Sequence, residues 1–149
     1  MGLMDLMNLN TLKSFLIIIG LLLAFDIPML TLINKTMYQD NLKNINNEDM
    51  KFDFLKIISA ILCYLLMTGG IYYFSVKENN TLNALILGLI VYGIYNTTNY
   101  STLNKFSLNV ALIDTIWGTT LFTAVAFIVI TFFNTSYQSI EQNLNDNSK

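Results

Sequence analysis

The stretch Leu89-Ile-Val-Tyr-Gly-Ile-Tyr-Asn-Thr-Thr-Asn-Tyr-Ser-Thr-Leu103 leads, after a short turn, into Ile113-Asp-Thr-Ile-Trp-Gly-Thr-Thr120. It sets a dense group of polar and aromatic side chains at the join of two apolar runs. Long apolar runs normally exclude such groups, because a carboxylate inside hydrocarbon costs about 2.5–3.5 kcal/mol on insertion scales. The cluster therefore has to point inward, and the rest of the chain reads as hydrophobic scaffold around it.

The composition agrees with a lipid environment. Apolar residues make up 54% of the 149 and charged residues only 12%, about half the usual share in a soluble domain. That leaves too little polar surface to cover a soluble fold of this size. Four apolar runs of roughly the length needed to cross a bilayer can be drawn, at about 12–33, 52–76, 80–100 and 107–133. The expected fold is all-α: a four-helix transmembrane bundle, up-and-down, both termini on the same face. Residues 134–149 form a polar Asn, Ser and Gln-rich tail.

Within the first run Pro28 cannot donate to the carbonyl of Ala24, so the helix is expected to loosen there. The connection from Asn34 to Lys51 is polar and is expected in water or among headgroups, with Tyr38 as an interfacial anchor. Tyr72-Tyr73-Phe74 suits an aromatic belt. Five of the eight lysines (Lys35, Lys43, Lys51, Lys56 and Lys105) lie in or beside the connections after spans one and three. The positive-inside rule then makes those connections cytoplasmic and the termini external.

Spacing brings the anomalies together. Asp26 lies seven residues before the end of span one, and Asp114 lies seven after Ser107. At about 1.5 Å per residue both fall roughly 10 Å below one membrane face. Gly88, Tyr92, Asn96 and Asn99 follow at four, four and three residues and share a helical stripe; Asp114, Trp117, Gly118 and Leu121 make another. Asp26, Tyr92, Tyr95, Asn96, Asn99, Asp114 and Trp117 thus form the candidate intramembrane polar cluster. Gly88, Gly93 and Gly118 are the candidate helix-packing positions. Two readings of the cluster follow: the acids lock helix register by accepting hydrogen bonds, or they hold a proton or cation.

Several function classes drop out. Histidine is absent, which removes the commonest proton shuttle and metal ligand, and no metal site or cofactor is expected. Cys63 stands alone in an apolar run and reads as a small buried hydrophobe. Net charge of -2 with scattered lysines gives no footprint for nucleic acid. No nucleophile stands at a workable spacing from a base, so the chain is expected not to be an enzyme. No myristoylation motif is expected at the amino terminus, since Leu6 stands where Ser or Thr is required, and no cleavable signal, since the apolar run after Lys13 is too long and lacks a small-residue cleavage site.

Asp26-Ile27, Met37-Tyr38-Gln39 with Leu42, Tyr95-Asn-Thr-Thr-Asn99 with Ser101-Thr-Leu103, and Asp114-Thr-Ile-Trp-Gly118 are similar to the motifs of a family of predicted bacterial membrane proteins, DUF2177. The resemblance covers roughly residues 12–130. It departs at Asn96, where the family pattern has Asp, and around Pro28, where an aromatic residue is replaced. It implies the four-span fold and the position of the cluster, and carries no activity with it. Asn96 keeps the hydrogen bonds of an Asp and drops its charge, which favours structure over ion chemistry.

The expected function is a non-enzymatic, multi-pass integral membrane protein. It would be a structural or anchoring subunit of a larger membrane assembly, such as a virion inner membrane or a bacterial membrane. Its expected partners are the lipid bilayer and protein neighbours, including copies of itself. The alternative is a small proton- or cation-coupled transporter using Asp26 and Asp114. A lipid-acting membrane enzyme is a distant third reading.

Overall fold

The computed structural model describes residues 3–33, 35–46 and 53–134. The expected tail lies, from residue 135 on, outside the described residues. Among those described there are helices and turns and no strand. In chain order they are α1 (Leu3–Pro28), α2 (Lys35–Asn46), α3 (Phe54–Ile71), α4 (Thr81–Thr102) and α5 (Leu108–Val129).

Three of the long helices relax into a wider π-helical turn at their carboxyl ends: Met29–Ile33 after α1, Tyr72–Val76 after α3 and Ile130–Asn134 after α5. For α1 the cause is local. Pro28 removes one backbone donor, the regular helix stops there, and Thr31 turns its hydroxyl onto the Ile27 carbonyl at 2.6 Å.

Four stretches are long and apolar enough to cross a membrane: Leu9–Thr31, Phe54–Val76, Thr81–Thr102 and Leu108–Phe132. Thr81–Thr102 has the lowest mean hydropathy, 1.2 against 1.8–2.2 for the others, because it carries the amide-rich end of the polar stretch. The exposed surface is correspondingly apolar, with Leu16, Phe54, Leu66, Ile94 and Ile116 all more than half exposed. Such faces suit acyl chains and would be a liability in water. Cys63 belongs to that outer surface, a correction to its expected burial. It sits on the lipid side of α3, where the aliphatic neighbours Ile61 and Leu62 are exposed as well.

Ends are fixed by short polar contacts. Asp53 caps α3 by accepting from the Lys56 backbone N–H at 2.9 Å, and Asn80 caps α4 by accepting from Leu82 N–H at 3.0 Å. Between α3 and α4 the turn passes through Asn79 at φ 51°, a left-handed position that Asn tolerates better than most residues. Tyr72 differs from a plain belt residue: its ring packs on Phe15 at 4.9 Å and its hydroxyl pairs with Thr11 at 2.9 Å.

Lipid tails are as apolar as leucine, so helix association in a bilayer depends on close packing and interhelical hydrogen bonds. The closest pair is α4 with α5. Gly88 lets them approach: a Cβ there would stand 2.9 Å from the Thr119 Cα. At Gly118 the added carbon would run into the Tyr92 ring, which lies edge-on to Phe122 with centroids 5.6 Å apart. Gly93 takes no part in this packing, since nothing stands within 4 Å of its missing Cβ. Around the α4–α5 pair, Ile18 and Leu22 of α1 and Ile71 of α3 join Leu121, Phe122, Val125 and Val129 in the core.

The polar connection departs most from expectation. Lys35–Asn46 is a helix, α2, whose Tyr38, Asn41, Leu42 and Ile45 follow at three, four and seven residues and turn inward. Asn41 is buried and its Oδ1 accepts the Ser107 backbone N–H at 2.8 Å, seating α2 against the start of α5.

Candidate functional site: two carboxylates closed by neutral donors

Asp26 sits in the last turn of α1. Its Oδ1 accepts the indole N–H of Trp117 at 3.0 Å, and its Oδ2 accepts the hydroxyl of Tyr64 at 2.7 Å. Three helices meet at this one side chain: α1, α3 and α5. Together with the Thr11–Tyr72 pair, the Asp26–Tyr64 bond sets α1 and α3 antiparallel.

Asp114, in the second turn of α5, repeats the pattern. Its Oδ1 accepts the hydroxyl of Tyr38 at 2.7 Å, and its Oδ2 accepts the Asn96 amide at 2.8 Å. This carboxylate joins α2, α4 and α5. Asn96 also donates to Thr115 Oγ1 at 3.1 Å, while that hydroxyl donates to the Ala111 carbonyl at 2.8 Å.

The two carboxyls therefore have the same surroundings: one phenolic hydroxyl and one N–H each, all four donors uncharged. Charge-assisted bonds of this kind are among the stronger hydrogen bonds. Trp117 and Asp114 are three residues apart on α5, so the two sites lie about one helical turn, roughly 4.5 Å, apart along it. No hydrogen bond joins one carboxylate to the other among the described residues. Tyr38 stands outside the spanning segments. Its burial, and after that its bond to Asp114, push its phenol above the ordinary value.

Of the residues expected in the cluster, Asp26, Asn96, Asp114 and Trp117 are brought together. Tyr92 faces the same interior but uses its ring against Gly118 and Phe122. Tyr95 is 59% exposed on the outer face. Asn99 is half-buried and donates to neither acid; its backbone carbonyl accepts from Leu103 at 2.9 Å. Tyr38 and Tyr64 are the donors not foreseen. The signal for Tyr64 was a single phenol in the aliphatic run from Ile57 to Leu66, and for Tyr38 the period of α2.

Two buried side-chain atoms have no hydrogen-bond partner among the described residues, Thr68 Oγ1 and Asn96 Oδ1. No group of three or more His, Cys, Asp or Glu side chains fit to hold a metal ion occurs among them either. A cleft of about 350 Å³ opens beside Asn96 on the outer face of α4 and α5. Neither Asp26 nor Asp114 lines it.

Comparison with known families finds a match over residues 11–131 to the family described as "Predicted membrane protein (DUF2177)". Comparison with curated proteins and with solved structures finds no match.

Proposed function

Since this chain belongs to the DUF2177 family of predicted membrane proteins, we propose that it is a non-enzymatic structural or anchoring subunit, packed with protein neighbours in a larger membrane assembly. The observation that carries this reading is the closure of Asp26 and Asp114 by donors from all the other described helices. Each carboxylate oxygen has a partner, and those partners lie on α2, α3, α4 and α5. Such a network suits a part whose task is to hold one shape and present its apolar flanks. In this reading the bundle is up-and-down, with both termini on one membrane face.

Native mass spectrometry of the protein extracted with its surrounding bilayer tests the proposal. A defined complex with further copies or fixed neighbours is the expected result. Particles holding one chain and lipid alone would overturn it.

One observation favours a second reading, a small proton- or cation-coupled transporter. All four donors are neutral, so the bonds supply neither acid with a positive charge. On each acid one partner is a tyrosine hydroxyl, which can accept as well as donate. A proton can thus reach the carboxyl while the heavy atoms stay in place. Flux measurements in proteoliposomes with Asp26→Asn and Asp114→Asn decide it: transport lost in these variants supports the carrier, and transport unchanged by both removes it.

A further inference from the structure

We infer that residues 54–63 of α3 form a lateral gate over Asp26, hinged at Gly69-Gly70 and latched by the Tyr64–Asp26 bond. Every residue in that stretch is exposed, and its large aliphatic side chains are each at least 44% exposed. Ten residues make nearly three helical turns, so the exposure runs all the way round. The other spanning helices keep an inward stripe: α1 buries Ser14, Ile18 and Leu22, and α4 buries Ala84, Gly88 and Asn96. Beyond Tyr64 the chain is gripped again, with Thr68, Ile71, Ser75 and Val76 all buried. The helix is thus seated at one end and carries no buried side chain at the other.

Apolar contact holds such an arm weakly in a bilayer, because acyl chains replace whatever face it leaves. The Tyr64 hydroxyl on Asp26 Oδ2, at 2.7 Å, therefore sets its position. Two features mark the place where the seated part begins. Gly69 and Gly70 lack the side chains that stiffen a helix, and nothing stands within 4 Å of the missing Cβ of Gly69, which leaves room to bend. Thr97, Thr115, Thr119, Thr120 and Thr123 each donate to the carbonyl four residues back, whereas the Thr68 hydroxyl is buried with no partner among the described residues. A hydroxyl left so raises the free energy of the closed form alone. Swinging at the glycine pair lifts Thr68 from its packed place, and its hydroxyl can then turn back onto its own helix. Opening uncovers Asp26 Oδ2 while Trp117 keeps Oδ1. The inference deepens the carrier reading and rests on it for its use: a proton or cation would reach Asp26 through the gap between α1 and α3.

Nitroxide labels test the gate in lipid nanodiscs, where pulsed electron paramagnetic resonance reads distances across the bundle. One pair joins the native Cys63 to Ile116→Cys on α5, both exposed on the lipid side. A second pair joins Phe74→Cys to Phe127→Cys in a Cys63→Ser background, at the seated end. In the first pair Tyr64→Phe should raise the ratio of long to short distances about three- to twenty-fold, the worth of one interhelical bond in a membrane. Thr68→Val, added to Tyr64→Phe, relieves the closed form and should lower that ratio again. The second pair should keep one distance throughout. A first pair unmoved by Tyr64→Phe, no recovery with Thr68→Val, or both pairs lengthening together overturns the inference. Flux in proteoliposomes is read separately, so that motion without transport removes the carrier and leaves the gate, and transport without motion does the reverse.

Discussion

Each acid has one oxygen facing a group that can only donate, Trp117 N–H or Asn96 NH₂, and one facing a tyrosine that can donate or accept. Substitutions should divide accordingly. Tyr64→Phe strands Asp26 Oδ2 and is expected to lower stability by about 1 kcal/mol, within the range measured for interhelical bonds in membranes. Asp26→Asn keeps an oxygen for Trp117 and turns an N–H towards the Tyr64 oxygen, so it should cost less than half as much. Equilibrium unfolding in mixed detergent compares the two, and an equal loss would mean that the charge, not the bonding pattern, matters there. Asp26, Asp114, Asn96 and Trp117 were legible from sequence because an intramembrane carboxylate has to face inward and find donors near its depth. Tyr64 was not, since a lone phenol in a largely aliphatic run reads equally well as a lipid-facing ring. Tyr92 misled for a different reason: its stripe was right, but the absent Cβ of Gly118 made room for the ring.

At the scale of elements, α2 is the part the polar sequence concealed. Low apolarity led to a water-exposed connection, while the period Tyr38, Asn41, Leu42, Ile45 carried the helix. What holds α2 down is the Tyr38–Asp114 bond and the Asn41–Ser107 bond. A phenol raised in the folded state binds its proton more tightly folded than unfolded. Its contribution is therefore fully present below the ordinary tyrosine value of 10.0 and is lost as pH rises beyond it. Thermal unfolding should show an alkaline loss of stability that Tyr38→Phe diminishes, with no pH dependence from this group near neutrality, where its contribution is fully present. The α4–α5 seam makes the opposite kind of prediction, one of volume. Gly88→Val and Gly118→Ala overfill it and should each cost about 1–3 kcal/mol. Gly93→Ala should be neutral or stabilising by up to about 1 kcal/mol, because the position is open and alanine favours helix. Unfolding midpoints for the three variants check this order.

Taken whole, the chain shows what hydropathy settles and what it leaves open. Four spanning stretches and an all-helical fold followed from composition and run length, for the reason that backbone groups in lipid have to be satisfied within a helix. Which helices touch did not follow, because an aliphatic face looks alike whether it meets acyl chains or a neighbour. Cys63 shows that ambiguity at one position, exposed to lipid where an interior place was expected. Glycines and lone polar groups broke the tie, and they lie mainly on α4 and α5. The same placement gives the molecule a built-in optical reporter. Trp117 is the sole tryptophan in the sequence, and its indole N–H rests on the Asp26 carboxylate. The entire intrinsic emission of the protein in the tryptophan band therefore comes from one fluorophore beside one carboxylate. Replacing that carboxyl with an amide or prising α1 from α5 should each shift the emission maximum, readable without any added dye.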